Sequence, residues 1–327
     1  MPKKLLLTGS AGFVGSHIVE GILKNTDWEI VGLDRLDACA DLGRLLDIGI
    51  WEKEKHRVKF VWWDLKSSIN DQIKKEIGDV NYIWHLAASS HVDRSIADPM
   101  SFAMDNVIGT INLLLYAKEV NPEKIIYFST DEVFGPIEEG KLFKEWDRYR
   151  SSNPYAASKA GGEEMAYSFY NTYKLPIIIT HTMNIFGEKQ HQEKFIPMVI
   201  KKVLKGETVT IHADETKTIS GSRSWIHARN VCKALQFLNE KGQIGDKYNI
   251  TGEKEISNLS MARFIANVLD RPLKYEMVDF HSPRPGHDLR YGLDGSKLKS
   301  MGFEYPKNFE DSLTKTIKWY LEHQKWL

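Results

Sequence analysis

The sequence predicts an α/β fold in which a doubly wound parallel sheet carries a smaller mixed α/β lobe. From residue 4 to about residue 180, short apolar runs alternate with longer amphipathic stretches. The runs are continuously apolar, which is typical of parallel strands covered by helices on both faces. The 327 residues exceed one comfortable hydrophobic core, so a second lobe is expected.

Six strands and four helices are expected in the first part of the chain. The strands are Lys4–Thr8, Glu29–Leu33, Val58–Trp62, Tyr82–Leu86, Lys124–Phe128 and Pro176–Thr180. The helices are Phe13–Leu23, Ile69–Ile77, Pro99–Glu119 and Pro154–Tyr173. Asn153 can cap the last of these helices, and Pro154 suits its first position, where no amide donor is needed.

The pattern loosens beyond about residue 185. Expected there are helices Phe195–Lys205, Asn230–Asn239, Ser257–Leu269 and Glu310–His323, a polar loop His212–Ser222 and a short strand Tyr248–Thr251. We therefore expect a first domain over residues 1–182 and a lobe over residues 183–327, from which segments can return to the first domain.

Composition excludes several classes of protein. The 44 Lys and Arg residues balance 44 Asp and Glu residues, so no long-range field would collect nucleic acid. Cys39 and Cys232 form no C-x-x-C pair and the 11 His form no H-E-x-x-H motif, which argues against disulfides and metal sites. Neither a signal-peptide core nor a run near ~18 apolar residues is found. We expect a soluble cytoplasmic protein without a nucleic-acid or membrane partner.

A glycine-rich loop joins the first strand to the first helix and reads Thr8-Gly9-Ser10-Ala11-Gly12-Phe13-Val14-Gly15. Its three glycines would permit a tight turn, close approach of the backbone to a pyrophosphate and close helix packing, while the helix N-terminus faces the anion. Three glycines alone also fit an ordinary turn. The context of strand, loop and helix predicts a Rossmann domain that binds a dinucleotide.

Asp34 indicates which dinucleotide is bound. It closes the second strand 19 positions after Gly15, where a carboxylate accepts hydrogen bonds from the adenosine ribose hydroxyls. The same carboxylate would repel a 2′-phosphate, so NAD is favoured over NADP. Arg35 keeps NADP open as an alternative, because a guanidinium could accommodate that phosphate.

Further cofactor contacts are expected at two strand ends. Asp64 and Leu65 follow the third strand, and Leu86, Ala87 and Ala88 follow the fourth. Ligands of open α/β sheets bind at the carboxyl ends of the strands, and the two alanines are small enough to lie beside a cofactor. Loop residues chosen for turn chemistry are the alternative.

The residues that carry chemistry follow the fifth strand and open the helix Pro154–Tyr173. Tyr155 and Lys159 are four apart on one helix face, and a nearby ammonium would lower the pKa of the phenol and make it a usable base. Thr130-Asp131-Glu132 adds two adjacent carboxylates, which offer an acid and a base if their environments separate their pKa values. An acidic turn is the alternative, but hydride transfer alone would need neither carboxylate.

The chain resembles the extended short-chain dehydrogenase/reductases and, among them, the nucleotide-sugar 4,6-dehydratases of the dTDP-glucose type. The matching stretches are the glycine loop, 85–88, 90–96, 106–107, 109–110, 129–135, 154–160, 195–197 and 284–288. The specific element is the Thr-Asp-Glu triplet, because the 4-epimerases of this superfamily usually carry small or hydroxyl residues at the two acidic positions.

The resemblance implies a role for each catalytic candidate. Tyr155 would take the proton of the sugar 4-hydroxyl while NAD accepts the hydride from C4. Lys159 would hold the phenolate and the nicotinamide ribose, and Thr130 would bond the 4-oxygen. Glu132 would deprotonate C5 and Asp131 would protonate the departing 6-hydroxyl. Return of the hydride to C6 would leave a 4-keto-6-deoxy sugar.

The resemblance also implies substrate contacts. Ser90 and His91 would line the sugar pocket, whereas Asn184, Arg223 and Arg284 would bind the nucleotide diphosphate, a task that suits guanidinium groups. Capping, packing and surface salt bridges are the alternative roles for these five residues.

A homodimer is implied as well. The helices Pro99–Glu119 and Pro154–Tyr173 match those that pair across a two-fold axis in the family. Apolar Val107, Ile111 and Leu114 recur at helical spacing, as such a contact requires. The alternative is that this stripe packs only on the sheet of its own subunit.

Some positions depart from the family pattern. Ser89 stands where Glu is usual, and the segment from His212 to Arg223 is longer than the glycine-rich segment of the dTDP-glucose enzymes. The identity of the nucleotide base therefore stays open.

A 4-epimerase and a non-enzymatic NAD sensor remain as rival functions. Asp131 and Glu132 argue against the epimerase, and a Tyr155 paired with Lys159 argues against the sensor.

Overall fold

A computed structural model of the chain describes residues 2–279 and 288–327. Its largest sheet has seven parallel strands, which are β1 (Lys4–Thr8), β2 (Glu29–Asp34), β3 (Val58–Trp62), β4 (Tyr82–His85), β5 (Lys124–Thr130), β6 (Ile177–Thr182) and β10 (Lys247–Ile250). Their spatial order is β10-β6-β5-β4-β1-β2-β3. The predicted doubly wound parallel sheet is confirmed.

Two smaller sheets form the additional lobe. A three-stranded sheet has the order β11-β9-β7, with β7 at Asn184–Phe186, β9 at Ser222–His227 and β11 at Lys254–Ser257. A two-stranded parallel sheet pairs β8 (Val209–Ala213) with β12 (Tyr275–Asp279). These five strands were not predicted, because each is short and three to six residues give little periodic signal.

Helices cover both faces of the large sheet and one side of the lobe. They are α1 (Phe13–Asn25), α2 (Gly43–Leu46), α3 (Trp51–Glu54), α4 (Asp71–Ile77), α5 (Val92–Ala97), α6 (Pro99–Ala103), α7 (Gly109–Val120), α8 (Pro154–Tyr173), α9 (Phe195–Lys205), α10 (Ala228–Lys241), α11 (Asn258–Val268), α12 (Ser296–Ser300) and α13 (Phe309–Glu322). A π-helical turn spans Met104–Ile108, and short 3₁₀ turns span Lys55–Arg57, Asp131–Phe134 and Gln324–Trp326. None of the helices within the described ranges is long and apolar enough to cross a membrane.

Three expected boundaries need correction. The helix expected at Pro99–Glu119 is divided by the π-helical turn. The loop expected at His212–Ser222 begins inside β8 and ends inside β9, because backbone pairing extends into polar residues. The late strand, expected at Tyr248–Thr251, spans Lys247–Ile250 and lies at the edge of the large sheet beside β6. A segment of the second half of the chain therefore returns to the first sheet.

Strand β1 shows why the predicted runs are continuously apolar. Leu5 and Leu7 pack into the cluster formed with α1 and α10, whereas Leu6 points to the opposite face and packs with α7 and α8. All three side chains are fully buried. Complete burial of such a side chain contributes about 1.5–3 kcal/mol to folding, so both faces of the sheet stabilise the domain.

Helix α8 begins as its sequence predicts. The Asn153 side chain accepts a hydrogen bond from the Ala156 amide at 2.9 Å, and Pro154 occupies the first turn. The helix ends at Tyr173, where Lys174 adopts a left-handed conformation. This defined start fixes the orientation of Tyr155, whose amide donates to the Ser95 hydroxyl at 3.0 Å.

Candidate active site

The site lies where the strand order reverses. β1 pairs with β2 on one side and with β4 on the other, so the connections that follow β1 and β4 leave toward opposite faces. Such a switch point opens a crevice at the carboxyl ends of the strands, which is where open α/β sheets bind ligands.

The glycine loop forms a cradle that larger residues would fill. Gly9 has a φ of 73°, and a Cβ there would lie 2.9 Å from the Ala87 nitrogen. A Cβ on Gly15 would overlap the Gly9 carbonyl oxygen. Gly12 precedes α1 and has no side chain to cap it, so amides of the first turn stay available to an anion. The loop therefore fits a dinucleotide pyrophosphate, with Phe13 and Val14 in the first turn beside it.

Asp34 ties the end of β2 to this loop. One carboxylate oxygen accepts from the Ala11 amide at 3.0 Å, and the other accepts from the Leu36 amide at 2.9 Å. The side chain is buried, and burial raises its pKa above the ordinary aspartate value. A carboxylate held in this way is positioned before any ribose arrives.

The contacts of Arg35 argue against a role in binding phosphate. Its guanidinium donates two parallel hydrogen bonds to Asp105, at 2.6 and 2.8 Å, and two more to Asp37. Asp64 lies 3.8 Å away as a third acidic neighbour. The NADP alternative depended on this guanidinium, which is already paired.

The remaining predicted cofactor residues line the neighbouring strand ends. Leu65 is buried, and Asp64 is partly exposed. The Leu86 and Ala87 amides both donate to the Thr8 hydroxyl, at 3.2 and 3.1 Å, and thereby join the ends of β1 and β4. Ala88 follows on the same segment and is exposed.

Sequence reasoning missed a role for His85. This fully enclosed imidazole contacts the Thr8 hydroxyl at 2.8 Å and the Thr110 hydroxyl at 3.0 Å. Burial lowers its pKa to about 3, so it stays neutral. It braces the end of β1 against α7 and thus supports the cofactor crevice.

Tyr155 and Lys159 lie on the buried face of α8, but their electrostatics differ from the prediction. The Lys159 ammonium donates to the Phe128 carbonyl oxygen at 2.7 Å, and burial lowers its pKa to about 7. Burial and then the Glu132 charge raise the pKa of Tyr155, although a hydrogen bond to Thr130 acts in the opposite direction. The expected lowering of the Tyr155 pKa by Lys159 is therefore not seen in this structure, because burial and the Glu132 charge raise that pKa and the opposing contribution comes from Thr130.

The acidic triplet crosses from β5 into a 3₁₀ turn. The Thr130 hydroxyl donates to Asp131 at 3.1 Å, and the Asn153 amide donates to Glu132 at 3.2 Å. Burial and the Glu132 charge raise the pKa of Asp131 to about 7. Burial also raises the pKa of Glu132, whereas Asn153 and then Arg223 lower it. The two carboxylates therefore have different partners, as an acid and a base require.

A cavity of about 310 Å³ adjoins the triplet. It brings together Glu132 and four of the predicted substrate residues, namely Ser90, His91, Asn184 and Arg223. The fifth, Arg284, lies outside the described residues. Glu132 and these four residues, which are far apart in the sequence, thus line one pocket.

Arg223 is held rigidly beside the carboxylates. Its guanidinium donates to the backbone carbonyl oxygens of Ser222, Leu289 and Asp288, each at 2.7 Å, and stacks 4.6 Å from the centre of the Tyr291 ring. Its positive charge lowers the pKa of Glu132 and so favours the ionised form of that carboxylate.

Several lining residues were not predicted as site residues. They include Lys194, His212, Trp225, Asn258 and Tyr291. Burial lowers the pKa of Lys194, whose ammonium donates to the Ser90 carbonyl oxygen at 3.4 Å. Its position just before a matching stretch, Phe195 to Pro197, was the signal that could have identified it.

Comparison with known proteins assigns the family. The family model described as GDP-mannose 4,6 dehydratase matches residues 6–316. The chain therefore belongs to the GDP-mannose 4,6 dehydratase family, and the resemblance to nucleotide-sugar 4,6-dehydratases is confirmed.

Individual relatives match over nearly their whole lengths. The chain is 37% identical over 317 residues to the low-salt glycan biosynthesis protein Agl12 of Haloferax volcanii, covering 97% of this chain and 98% of the relative. It is 34% identical over 348 residues to the dTDP-glucose 4,6-dehydratase of Salmonella typhimurium, covering 99% and 94%. The dTDP-glucose 4,6-dehydratase of Streptomyces venezuelae, solved with NAD bound, matches with a TM-score of 0.88 at 33% identity, covering 99% of this chain and 98% of that one.

Proposed function

We propose that this protein is an NAD-dependent dehydratase that converts a nucleotide-diphosphate hexose into its 4-keto-6-deoxy derivative. The observation that carries the proposal is the adjacent pair Asp131, which is buried, and Glu132, which is partly buried, at the end of β5 and next to Tyr155. Oxidation at C4 alone gives no task to either carboxylate, whereas elimination of water across C5 and C6 needs a base and an acid.

The first domain would hold NAD. Backbone amides at the start of α1 would bind its pyrophosphate, and Asp34 would accept from the adenosine ribose. Asp64, Leu65 and the segment Leu86–Ala88 would flank the rest of the molecule. When bound, NAD would supply the hydride acceptor for C4 and the hydride donor for C6.

Tyr155 would start the reaction as the base for the sugar 4-hydroxyl. Thr130 lies within hydrogen-bonding reach of the phenol and would hold the 4-oxygen. Since burial disfavours the phenolate, a positive charge in the site must stabilise it. Lys159, with a pKa near 7, supplies such a charge over part of the neutral pH range.

Glu132 and Asp131 would complete the elimination. Glu132, beside the Arg223 guanidinium, would be the ionised base that removes the C5 proton. Asp131, with a pKa of about 7, would hold a proton for the departing 6-hydroxyl. Their separate environments therefore match the two roles.

The decisive experiment follows the C5 proton in heavy water. The wild-type product should carry deuterium at C5, because the proton returned there exchanges with solvent. Glu132→Gln keeps the size of the side chain and can still accept the hydrogen bond of Asn153. We expect its turnover to fall by about 10²–10⁴, the effect of losing a general base, while NAD affinity is retained.

Tyr155→Phe is the matched control. It should suppress even the first hydride transfer, which is seen as missing NADH absorbance on mixing with substrate. A product without label at C5 that retains its 6-hydroxyl would instead favour the 4-epimerase.

The lobe over residues 183–327 would bind the nucleotide. Asn184, Arg223 and Arg284 are proposed to hold the diphosphate, and Ser90 and His91 the sugar. Mass spectrometry of reactions with dTDP, UDP, GDP and CDP sugars can identify the substrate. Only the true substrate of this panel should lose one water molecule, about 18 Da.

The proposal includes a homodimer, but its contact residues differ from those expected from the sequence. Leu114 is only 2% exposed because it packs on its own sheet, so it cannot serve the interface. The exposed apolar residues on the same helical segment are Met100, Met104, Ile108 and Leu115. Light scattering should give twice the chain mass, and Met104→Glu should give monomers. A wild-type monomer at micromolar concentration would refute the dimer.

A further inference from the structure

The Arg35 guanidinium is surrounded by carboxylates other than its neighbour Asp34. Asp105 receives two hydrogen bonds in a fork, from Nη1 at 2.6 Å and from Nη2 at 2.8 Å. Asp37 receives two more, from Nε at 3.2 Å and from Nη2 at 2.9 Å. Asp64 lies 3.8 Å from Nη1. The charge of Arg35 is therefore fully engaged by acidic side chains.

Asp105 is the anchored member of this group. Its side chain is 8% exposed, compared with 42% for Asp37, and it also accepts a 2.6 Å hydrogen bond from the Ser89 hydroxyl. It lies in the π-helical turn, where the next residue, Asn106, bonds both the amide and the carbonyl oxygen of Ser89. Two successive side chains of the turn, Asp105 and Asn106, thus form hydrogen bonds with Ser89. Asp105 therefore cannot easily move away from Arg35.

This arrangement bears on the choice between two dinucleotides. The guanidinium next to a ribose-binding carboxylate is the group that could neutralise a 2′-phosphate. Here a phosphate would meet the carboxylates of Asp34, Asp37, Asp64 and Asp105, with one guanidinium among them. To bind Arg35 it would first have to displace a bidentate fork, which is among the stronger ion-pair geometries.

We propose that Asp105 is a specificity-determining residue that excludes NADP by sequestering Arg35. The inference rests on the proposed binding of NAD. Discrimination then depends on two residues: Asp34 at the end of β2 repels the 2′-phosphate directly, and Asp105 in the π-helical turn withholds the compensating charge.

The test measures dinucleotide binding by calorimetry in the full chain without substrate. In Asp105→Asn, which keeps the size of the side chain and can still accept from Ser89, the ratio of the NADP Kd to the NAD Kd should fall by about tenfold or more. Asp37→Asn is the matched control, since it removes one charge from the same guanidinium at an exposed position. Its ratio should change by less than about fivefold. Equal ratios in the wild type and in Asp105→Asn would overturn the proposal.

Two Arg35 variants keep the test decisive even if Asp105→Asn folds poorly. Arg35→Gln alone should leave the weak NADP affinity within about twofold, because the guanidinium is already occupied. A tenfold loss would show that Arg35 is available to the phosphate and would refute the sequestration. Adding Arg35→Gln to Asp105→Asn should cancel the gain in NADP affinity. Failure of the wild type to bind NAD would instead refute the proposed function.

Discussion

Asp34 and Asp131 are both buried aspartates at carboxyl ends of parallel strands, yet their carboxylates have different hydrogen-bond partners. Asp34 accepts two backbone N–H groups, one on each oxygen. Asp131 accepts one hydroxyl from Thr130, and within the described part of the chain its second oxygen has no hydrogen-bond partner. Burial raises the pKa of both, and that of Asp131 reaches about 7.

The difference separates the proposed cofactor-binding region from the proposed catalytic region. The glycine loop and Asp34 satisfy their own polar groups, so the cofactor crevice is ordered in advance. The chemical region keeps an under-partnered acid, which destabilises the fold but holds a proton that can be transferred. Identical substitutions in the two regions should therefore have opposite effects on stability.

The largest expected effect comes from Asp131→Asn. Loss of the proposed acid should lower turnover by about 10²–10⁴. The same change should increase the free energy of unfolding at pH 8 by about 1–3 kcal/mol. At about 2–4 °C per kcal/mol, this gain raises Tm by several degrees. The sign follows from the raised pKa: folding favours protonated Asp131, so its contribution is present below pH 4 and is lost as pH rises through about 7. Thermal unfolding at pH 8 and at pH 4 measures the difference, which should vanish at the lower pH.

Asp34→Asn is the counterpart in the binding region. An amide NH₂ would face one of the two backbone N–H groups, so a buried donor would lose its acceptor. We expect a lower Tm, by the equivalent of about 1–3 kcal/mol. A lower Tm in Asp131→Asn at pH 8, or a higher one in Asp34→Asn, would contradict the division into two regions.

A smaller effect is expected from Gly15→Ala. The added Cβ would overlap the Gly9 carbonyl oxygen, so the loop must shift at a cost of about 1–3 kcal/mol. NAD affinity, measured by calorimetry, should fall by about 5- to 150-fold if that cost appears in binding. Gly49→Ala is the control, because a Cβ there meets nothing within 4 Å. Equal NAD affinity in both variants would show that the loop is not the pyrophosphate site.

The sequence predicted the binding region better than the chemical one. The glycine spacing and the position of Asp34 depend on backbone geometry, which follows from strand and helix order along the chain. The Asp105 fork could not be predicted, because it depends on a π-helical turn that brings α6 and α7 against the end of β4. Likewise, the raised pKa of Tyr155 results from burial and from Glu132, and neither effect is visible in the spacing of Tyr155 and Lys159.

The lobe was predicted least well. Its strands β7 and β9 pair residues about forty positions apart, and Arg223 is held by carbonyl oxygens of residues 288 and 289. Such contacts are set by tertiary packing and leave no local pattern. The candidate substrate residues were therefore predicted through resemblance rather than through periodicity.

The smallest predicted effect concerns the alkaline limb of turnover. The pKa values of Asp131 and Lys159 both lie at about 7, so each group loses its proton in the same range. Each required proton lowers turnover about tenfold per pH unit above the pKa. Between pH 8 and pH 9 the turnover of the wild type should therefore fall by a further factor of about ten relative to that of Lys159→Arg, whose guanidinium keeps its proton. The measurement is kcat against pH with saturating NAD and sugar nucleotide, and the comparison uses slopes because the variant's overall rate will also change. A slope that is the same in both proteins would mean that the Lys159 charge is not needed, and Tyr155 would then depend on another positive group for its phenolate.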